Sequence, residues 1–536
     1  MPFWKPARLF PRPLGLAVAA VLLASAGAGA SVVLSEFGVW PYPALQQGVD
    51  AATRRTRPPE RVLPTQLLDF DLLQVGYGFP QTSRQAGAFA RMPGALLLMV
   101  NGTLSVLDPE TLARRLLPVA FPDNGREALE ALPAPDGPPA HVRYAWHRYH
   151  DLEYEPPYLY LSYSQFYPDA RCVTSVVARL RIEGPVAQLR AGADDWETVL
   201  ETSPCLLFRG GPEPYKGHQA GGRLERSGDG ALFWTVGDYG YDGLDAPPVS
   251  QNPASDYGRI WRIDLATGAS TVHSTGHRNP QGLTRTADGA LWSTEHGPQG
   301  GDELNHVEAG RDYGWPQATY GTDYGSSVWP GAIATGRHEG FAKPAWSWVP
   351  SIAPSELDEV EGIDPLWDGD LLIGSLNARS LVRARLDGSR VVTMETIPLG
   401  DRVRDMLMYR GRIYLYSDNA EVIRLTPRRR PAGLQGGAPA MSREAAGEIG
   451  RCRTCHGQST NGAAPGLCGV EGRPVGQAPG ASDALRRAGG VWDRDRLVAF
   501  LADTEAGIPG TGMPQVTIPD PAVRAEVVDR LDTLCR

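Results

Sequence analysis

The sequence predicts an all-β six-bladed β-propeller followed by a small all-α domain. Three observations predict it. First, six times the chain shows a Gly- or Pro-led turn running into a short apolar strand. These are Gly94-Ala95-Leu96-Leu97-Leu98, Pro157-Tyr158-Leu159-Tyr160-Leu161, Gly230-Ala231-Leu232-Phe233-Trp234, Gly289-Ala290-Leu291-Trp292, Gly369-Asp370-Leu371-Leu372-Ile373 and Gly411-Arg412-Ile413-Tyr414-Leu415. Some units close with a matching strand, as in Gly258–Asp264 and Ser380–Leu386. Short strands recurring every few tens of residues read as propeller blades. The uneven spacing leaves a β-sandwich array as the alternative. Second, glycine and proline number 62 and 47 in 536 residues, which suits a turn-rich β protein. Third, the pattern turns helical only beyond Ala440, over 442–450, 494–501 and 522–534.

Taken in order, the chain opens with Lys5, Arg8 and Arg12, then an apolar run from Leu14 to about Leu34. Residues 1–34 are expected to be a signal peptide or an N-terminal membrane anchor. Ala28-Gly29-Ala30 offers a cleavage site, and the run has about the ~20 residues that span a bilayer. Either way the bulk is expected outside the cytoplasm: periplasmic, secreted, or anchored to the outer face of the cytoplasmic membrane. A lead-in over 35–65 precedes the propeller over 66–426. An Arg/Pro/Gly-rich linker, 427–440, separates it from the C-terminal domain, 441–536. The net charge of -9 gives no electrostatic footprint for nucleic acid.

The C-terminal domain carries Cys452-Arg453-Thr454-Cys455-His456. C-x-x-C-H is the attachment signature of haem c. Cys452 and Cys455 close thioethers onto the porphyrin, and His456 ligates iron. Met513, the only methionine after Cys452, is the candidate sixth ligand. A His/Met pair raises the iron potential and makes an electron-transfer haem. A zinc or redox C-x-x-C is disfavoured because no second Cys/His pair stands at zinc spacing. The domain resembles class I cytochrome c through Cys452–His456, Gly469-Val470-Glu471-Gly472-Arg473 and the Met513 loop. The remaining cysteines pair most economically as Cys172 with Cys205 and Cys468 with Cys535. Four unpaired buried thiols stay open as the alternative.

Three propeller segments are dense in polar residues and glycine: Gly217–Leu224 with Gly237-Asp238-Tyr239-Gly240, Gly276–Leu283, and Glu295–Asn305 with Tyr313-Gly314-Trp315-Pro316. Propeller loops converge on one end of the channel, so their His, Asp, Arg and Asn would meet in one pocket. These segments resemble the soluble quinoprotein glucose/aldose-sugar dehydrogenases, six-bladed propellers that hold pyrroloquinoline quinone (PQQ) and calcium. The resemblance covers roughly residues 85–426, most strongly 217–240 and 276–316. It implies that His218 is the general base toward a sugar hydroxyl and that Asp238 orients it. It implies that Arg278 stabilises charge on the quinone oxygen. Asn279, Asp302, Tyr324, Arg402 and Arg404 would contact the cofactor, the arginines pairing with its carboxylates. The carbonyls of Gly297 and Pro298 would ligate the calcium beside PQQ, and Glu303 with the Tyr313 carbonyl a second calcium.

Three departures stand out. Asn377 occupies the place of a family lysine, for which Arg379 is the nearest substitute. The second-blade cofactor loop is not recognisable near Asn124–Glu127. The His218 loop has one extra residue before Arg223. The sequence therefore points to a quinohaemoprotein dehydrogenase that oxidises an aldose sugar or related alcohol through PQQ. Electrons would pass to the fused haem and on to a respiratory acceptor. Two other readings stay open. One is a propeller without PQQ that binds sugar or passes electrons. The other is a calcium-dependent lactonase-like hydrolase, against which the fused redox domain argues.

Overall fold

The computed structural model describes residues 60–77, 87–132, 144–208, 215–244, 246–324, 328–333, 336–428, 442–456, 467, 470–478, 481–513 and 516–531. Six antiparallel sheets make six blades. Blade I is Gly87–Met92, Ala95–Val100, Thr103–Leu107 and Arg114–Leu116. Blade II is Tyr149–Glu155, Tyr158–Tyr167, Cys172–Arg181 and Trp196–Glu201, with the short Leu206–Leu207 added. Blade III is Gly221–Arg226, Ala231–Val236, Arg259–Asp264 and Ser270–Thr275; blade IV is Pro280–Arg285, Leu291–Glu295, Asp302–Val307 and Trp346–Trp348. Blade V is Pro354–Glu359, Leu371–Ser375, Ser380–Asp387 and Arg390–Pro398. Blade VI combines Val403–Tyr409, Arg412–Ser417 and Glu421–Pro427 with Phe70–Gly76 and Glu60–Leu63 from the other end of the chain.

Each of the six apolar units in the sequence is the second strand of its blade. Those strands are covered by sheet on both faces, so their sequence is continuously apolar. Ala231–Val236 is buried at every residue. The closing strand Phe70–Gly76 pairs with Glu421–Pro427 from Phe70↔Pro427 to Gly76↔Glu421. It joins the two ends and leaves the ring of sheets without a gap. Glu60–Leu63 lies within the stretch read as a lead-in; it adds an outer strand to blade VI, so strand structure begins before residue 66. The core sits between blades, where Trp234, Trp292 and Trp367 are buried.

The first strands touch their neighbours all the way round and line the channel. In blade III this strand brings Arg223 to the centre. Its guanidinium meets Asp151 of blade II (3.2 Å), Glu356 of blade V and Asp405 of blade VI. Its Nε also donates to the Gln281 carbonyl of blade IV at 3.1 Å. Asp405 accepts the Phe89 amide of blade I at 2.6 Å. One buried cation thus reaches all six blades. Burial pushes Asp151 up to about 6, Glu356 well above its ordinary value, and Asp405 upward, with Arg223 opposing each shift.

The first strand of blade III opens on a bulge, as do the first strands of blades II, IV, V and VI. The register with the second strand shifts between Gly221 and Leu224. Gly222 sits there at φ 102, and a Cβ on it would lie 2.4 Å from the His150 Cβ; only glycine fits. Cys172 and Cys205 form a disulfide with Cα atoms 5.5 Å apart. The Cys468–Cys535 pairing, the N-terminal apolar run and linker residues 429–440 lie outside the described residues.

Beyond the linker lie the helices Arg443–Cys455, Asp483–Ala488, Arg494–Phe500, Thr504–Gly507 and Pro521–Arg530. Ser442, Ser482, Asp493, Asp503 and Asp520 cap them through their side chains. The first and last helices pack together around Ala445, Ile449, Val527 and Val528. Leu67 of the propeller joins this cluster, and the first helix touches strand Arg390–Pro398 of blade V.

Arg223→Met leaves three buried carboxylates without their cation. The expected cost is about 3–5 kcal/mol, read as the loss of unfolding free energy in urea. Protonation neutralises the stranded carboxylates, so the loss is expected to be smaller at pH 5 than at pH 8.

Candidate functional site

Where the first strands of blades II to VI begin, the residues just before and inside them enclose a cavity of about 430 Å³. His218, Arg278, Asn279, Tyr324, Arg402 and Arg404 all line it. His218 is delivered by a loop that lies tight against blade II: Gly217 sits at φ 78, and a Cβ there would lie 2.4 Å from the His147 amide nitrogen. The His218 ring is 5.2 Å from the Trp146 ring, tilted by 47°.

Sequence reasoning passed over the contribution of blade II, which is Trp146, Arg148 and His150. The signal was present in the pentapeptide Trp146-His147-Arg148-Tyr149-His150, which concentrates two of the ten histidines with an arginine and two aromatics. The segment around Asn124–Glu127 forms a turn and the short helix Arg126–Glu130, away from the cavity lining. Asn377 is exposed and donates to the Ser351 carbonyl at 3.1 Å. Neither it nor Arg379 is a lining residue.

Among the described residues, four guanidiniums and no carboxylate line the cavity, so it is strongly cationic. Arg402 and Arg404 share the buried Asp418, at 3.0 and 2.8 Å. Burial opposes the Asp418 charge, but Arg404 and Arg402 outweigh it and hold the carboxyl far below its usual range. Arg278 donates from Nη1 to the carbonyls of His296 (3.2 Å) and Gly297 (2.8 Å), while its Nε is buried without an acceptor. Burial pushes His150 well below its ordinary value and lowers His296, so both imidazoles are neutral at pH 7. Asn279 Oδ1 accepts from the Gly221 amide at 3.3 Å and from Gln281 Nε2 at 2.9 Å.

Asp238 does not line the cavity; it is fully buried. Its carboxylate accepts from Trp315 Nε1 at 2.6 Å and from the Gly240 amide at 2.9 Å. Gln219, with its amide oriented to satisfy both neighbours, donates to Asp238 at 2.6 Å and accepts from Arg278 Nη2 at 3.2 Å. Gln219 was also missed, and it couples Asp238 to Arg278. Burial pushes the Asp238 carboxyl up to about 7, against the pull of Arg278.

The expected metal ligands are already engaged. The Gly297 carbonyl takes the Arg278 bond, and the Pro298 carbonyl accepts from the Tyr324 hydroxyl at 2.7 Å. Asp302 is fully buried and is a brace rather than a lining residue. It accepts from the Gly297 amide at 3.0 Å, Ser351 Oγ at 2.6 Å and the Ala353 amide at 2.8 Å. Glu303 faces His338 Nε2 at 3.2 Å and accepts from Asn305 at 3.2 Å. A cation on Glu303 would have to displace His338. Tyr313 is buried, its ring stacked on His277 at 4.8 Å.

In the C-terminal part, Cys452 is buried near the end of helix Arg443–Cys455. The His456 amide donates to the Cys452 carbonyl at 2.9 Å. Met513 packs against the cluster of Ala484, Phe500 and Ile508. The side chain of Cys455 lies outside the described residues.

A profile of the Glucose / Sorbosone dehydrogenase family matches residues 149–424. The "Aldose sugar dehydrogenase YliI" of Escherichia coli (strain K12) is 30% identical over 294 residues, 50% of this chain and 73% of that protein. An uncharacterised Synechocystis protein, slr1608, is 35% identical over 260 residues. That match takes in 43% of this chain and 60% of the Synechocystis protein. "Cytochrome c2 iso-2" of Magnetospirillum fulvum is 37% identical over 90 residues, 16% of this chain and 94% of that protein.

The raised Asp238 carboxyl gives a sign that can be tested. With a folded value of about 7 against an ordinary 3.8, the folded chain holds an extra proton between these values. Stability is therefore lost as pH rises through that window. Asp238→Asn is expected to flatten the pH dependence of the thermal midpoint between pH 4 and pH 7 relative to the parent. An unchanged slope would contradict the buried protonated carboxyl.

Proposed function

Since the chain belongs to the glucose/sorbosone dehydrogenase family through its propeller and to the cytochromes c through its C-terminal part, we propose that it is a quinohaemoprotein dehydrogenase. It oxidises an aldose sugar or related alcohol with PQQ and hands the electrons to a covalently bound haem c in a helical cytochrome domain. The observation that carries this reading is the cavity itself: His218 beside four guanidiniums, with no carboxylate among the described lining residues. Its volume of about 430 Å³ suits a small cofactor together with part of a substrate. The donor set fits a tricarboxylate, because guanidiniums pair bidentately with carboxylates. The acceptor-less Nε of Arg278 is a buried donor that a ligand oxygen would satisfy.

When bound, PQQ supplies the two-electron oxidant, and haem c supplies the one-electron outlet. His218, exposed at the cavity, takes the proton of the substrate hydroxyl at its imidazole. The Asp238–Gln219–Arg278 chain fixes two lining residues of the same cavity, Gln219 and Arg278. Arg278 presents donors to an oxygen that gains negative charge, and such fixed donors stabilise charge without reorganising. Arg402 and Arg404, aligned by Asp418, hold cofactor carboxylates, and Asn279 and Tyr324 complete the contacts. The carbonyls of Gly297 and Pro298 suit a hard cation such as calcium. For calcium to bind there, Arg278 and Tyr324 must turn their donors from these oxygens. Cys452 and Cys455 would carry the haem, with His456 and Met513 on its iron.

Fusion makes haem reduction intramolecular, at an effective concentration set by the linker. The reading places the site outside the cytoplasm, with the N-terminal segment as signal or anchor, and a respiratory component as final acceptor.

The test adds PQQ and calcium to the haem-loaded chain, supplies a panel of aldoses and alcohols, and follows haem absorption. Haem reduction is expected to need both PQQ and substrate, and to fall at least about 100-fold in His218→Ala. Absence of reduction, with no PQQ retained after gel filtration, would overturn the reading.

A further inference from the structure

The four cavity guanidiniums are not in the same state. Arg402 and Arg404 lean on Asp418, and Arg278 leans on two backbone carbonyls. Arg148 differs. Its Nε and Nη1 are buried and have no acceptor. Its guanidinium lies over the Trp146 ring, 4.9 Å from the centroid. Arg404 sits over the same indole, 5.6 Å from the centroid, so two cations are brought against one ring. Burial and then Arg404 pull the Arg148 value down to about 9. Asp418 attracts the Arg148 charge but accepts no hydrogen bond from it, and buried donors in folded proteins are nearly always satisfied.

We propose that Arg148 is an anion-binding residue of the cavity, whose unsatisfied donors are met by a carboxylate of the bound cofactor. This assignment rests on the PQQ reading above and adds a ligand-holding residue from blade II. It also answers the departure noted in the sequence. The cation count that Asn377 lowers is restored by Arg148, on a blade where the sequence showed no cofactor contact, and not by Arg379. The shape of the site agrees: Arg148 immediately precedes strand Tyr149–Glu155, as Arg402 immediately precedes strand Val403–Tyr409.

The assignment has a thermodynamic signature that a structural arginine would not show. A guanidinium that packs the fold together lowers stability when removed. One that waits for a ligand leaves the ligand-free protein as stable or more so, and weakens binding. The experiment is equilibrium dialysis of PQQ, with calcium present, against the haem-loaded full chain. Free PQQ is read in the protein-free chamber, alongside urea unfolding of the PQQ-free protein.

Arg148→Met is expected to bind PQQ at least about 10-fold more weakly, the size of a charged hydrogen bond. Its urea midpoint without PQQ should be unchanged or higher. Arg148→Lys should recover part of the affinity. Equal PQQ affinity in parent and Arg148→Met would overturn the assignment and leave the PQQ reading standing. A lower urea midpoint without PQQ in both variants would also overturn it, making Arg148 structural. If the parent itself does not bind PQQ, the functional reading fails. Dialysis of benzene-1,3,5-tricarboxylate then decides: binding that depends on Arg148 supports the anion site, and binding that does not overturns it.

Discussion

The propeller turns on one buried cation. Arg223 stands in the channel, and carboxylates from blades II, V and VI converge on it. A ring of six sheets has apolar contacts between neighbours, but those contacts do not set where the first strands meet in the middle. A charged fork with fixed geometry does. The three carboxylates outnumber it, and burial raises all three values. The centre thus sets one cation against three acids whose charge burial disfavours and Arg223 favours.

That hub also shapes the cavity beside it. Asp405 binds Arg223, and its chain neighbour Arg404 lines the cavity. Gln281 gives its carbonyl to Arg223 and its side-chain oxygen to Arg404 (3.3 Å). The acids are gathered around Arg223 and the bases around the cavity. This segregation along one channel makes the site cationic in a chain whose net charge is -9. Net charge alone gave no hint of an anionic ligand; local charge does.

The second strands were legible because both their faces are covered, so continuous apolar runs behind a Gly turn stand out. The first strands were not. Gly221–Arg226 and Pro354–Glu359 expose polar side chains such as Arg223 and Glu356 to the channel, and their sequence looks like loop. The strand Phe70–Gly76 belongs to blade VI only through a pairing across more than 340 residues, which no local pattern reveals. Of the candidate site residues, those in Gly-rich turns before a first strand fell into one cavity: His218, Arg278, Asn279 and Arg402. Asp302 did not, because an acid beside a Gly-Gly turn can serve the turn as readily as a ligand. Gln219 and Arg148 were missed because their roles come from neighbours brought in by other blades.

The closing of blade VI carries a consequence for how the chain is made. Phe70–Gly76 leaves the ribosome early, and its partner Glu421–Pro427 leaves hundreds of residues later. Through that interval the early strand presents an unpaired edge, the kind of surface on which chains aggregate. The segment bearing the Cys452–His456 motif emerges only after the ring's last strand. The order of synthesis therefore lets the barrel-like body shut before the tail with this motif exists, and a nascent chain cut short before residue 421 would have a tail-less, open ring.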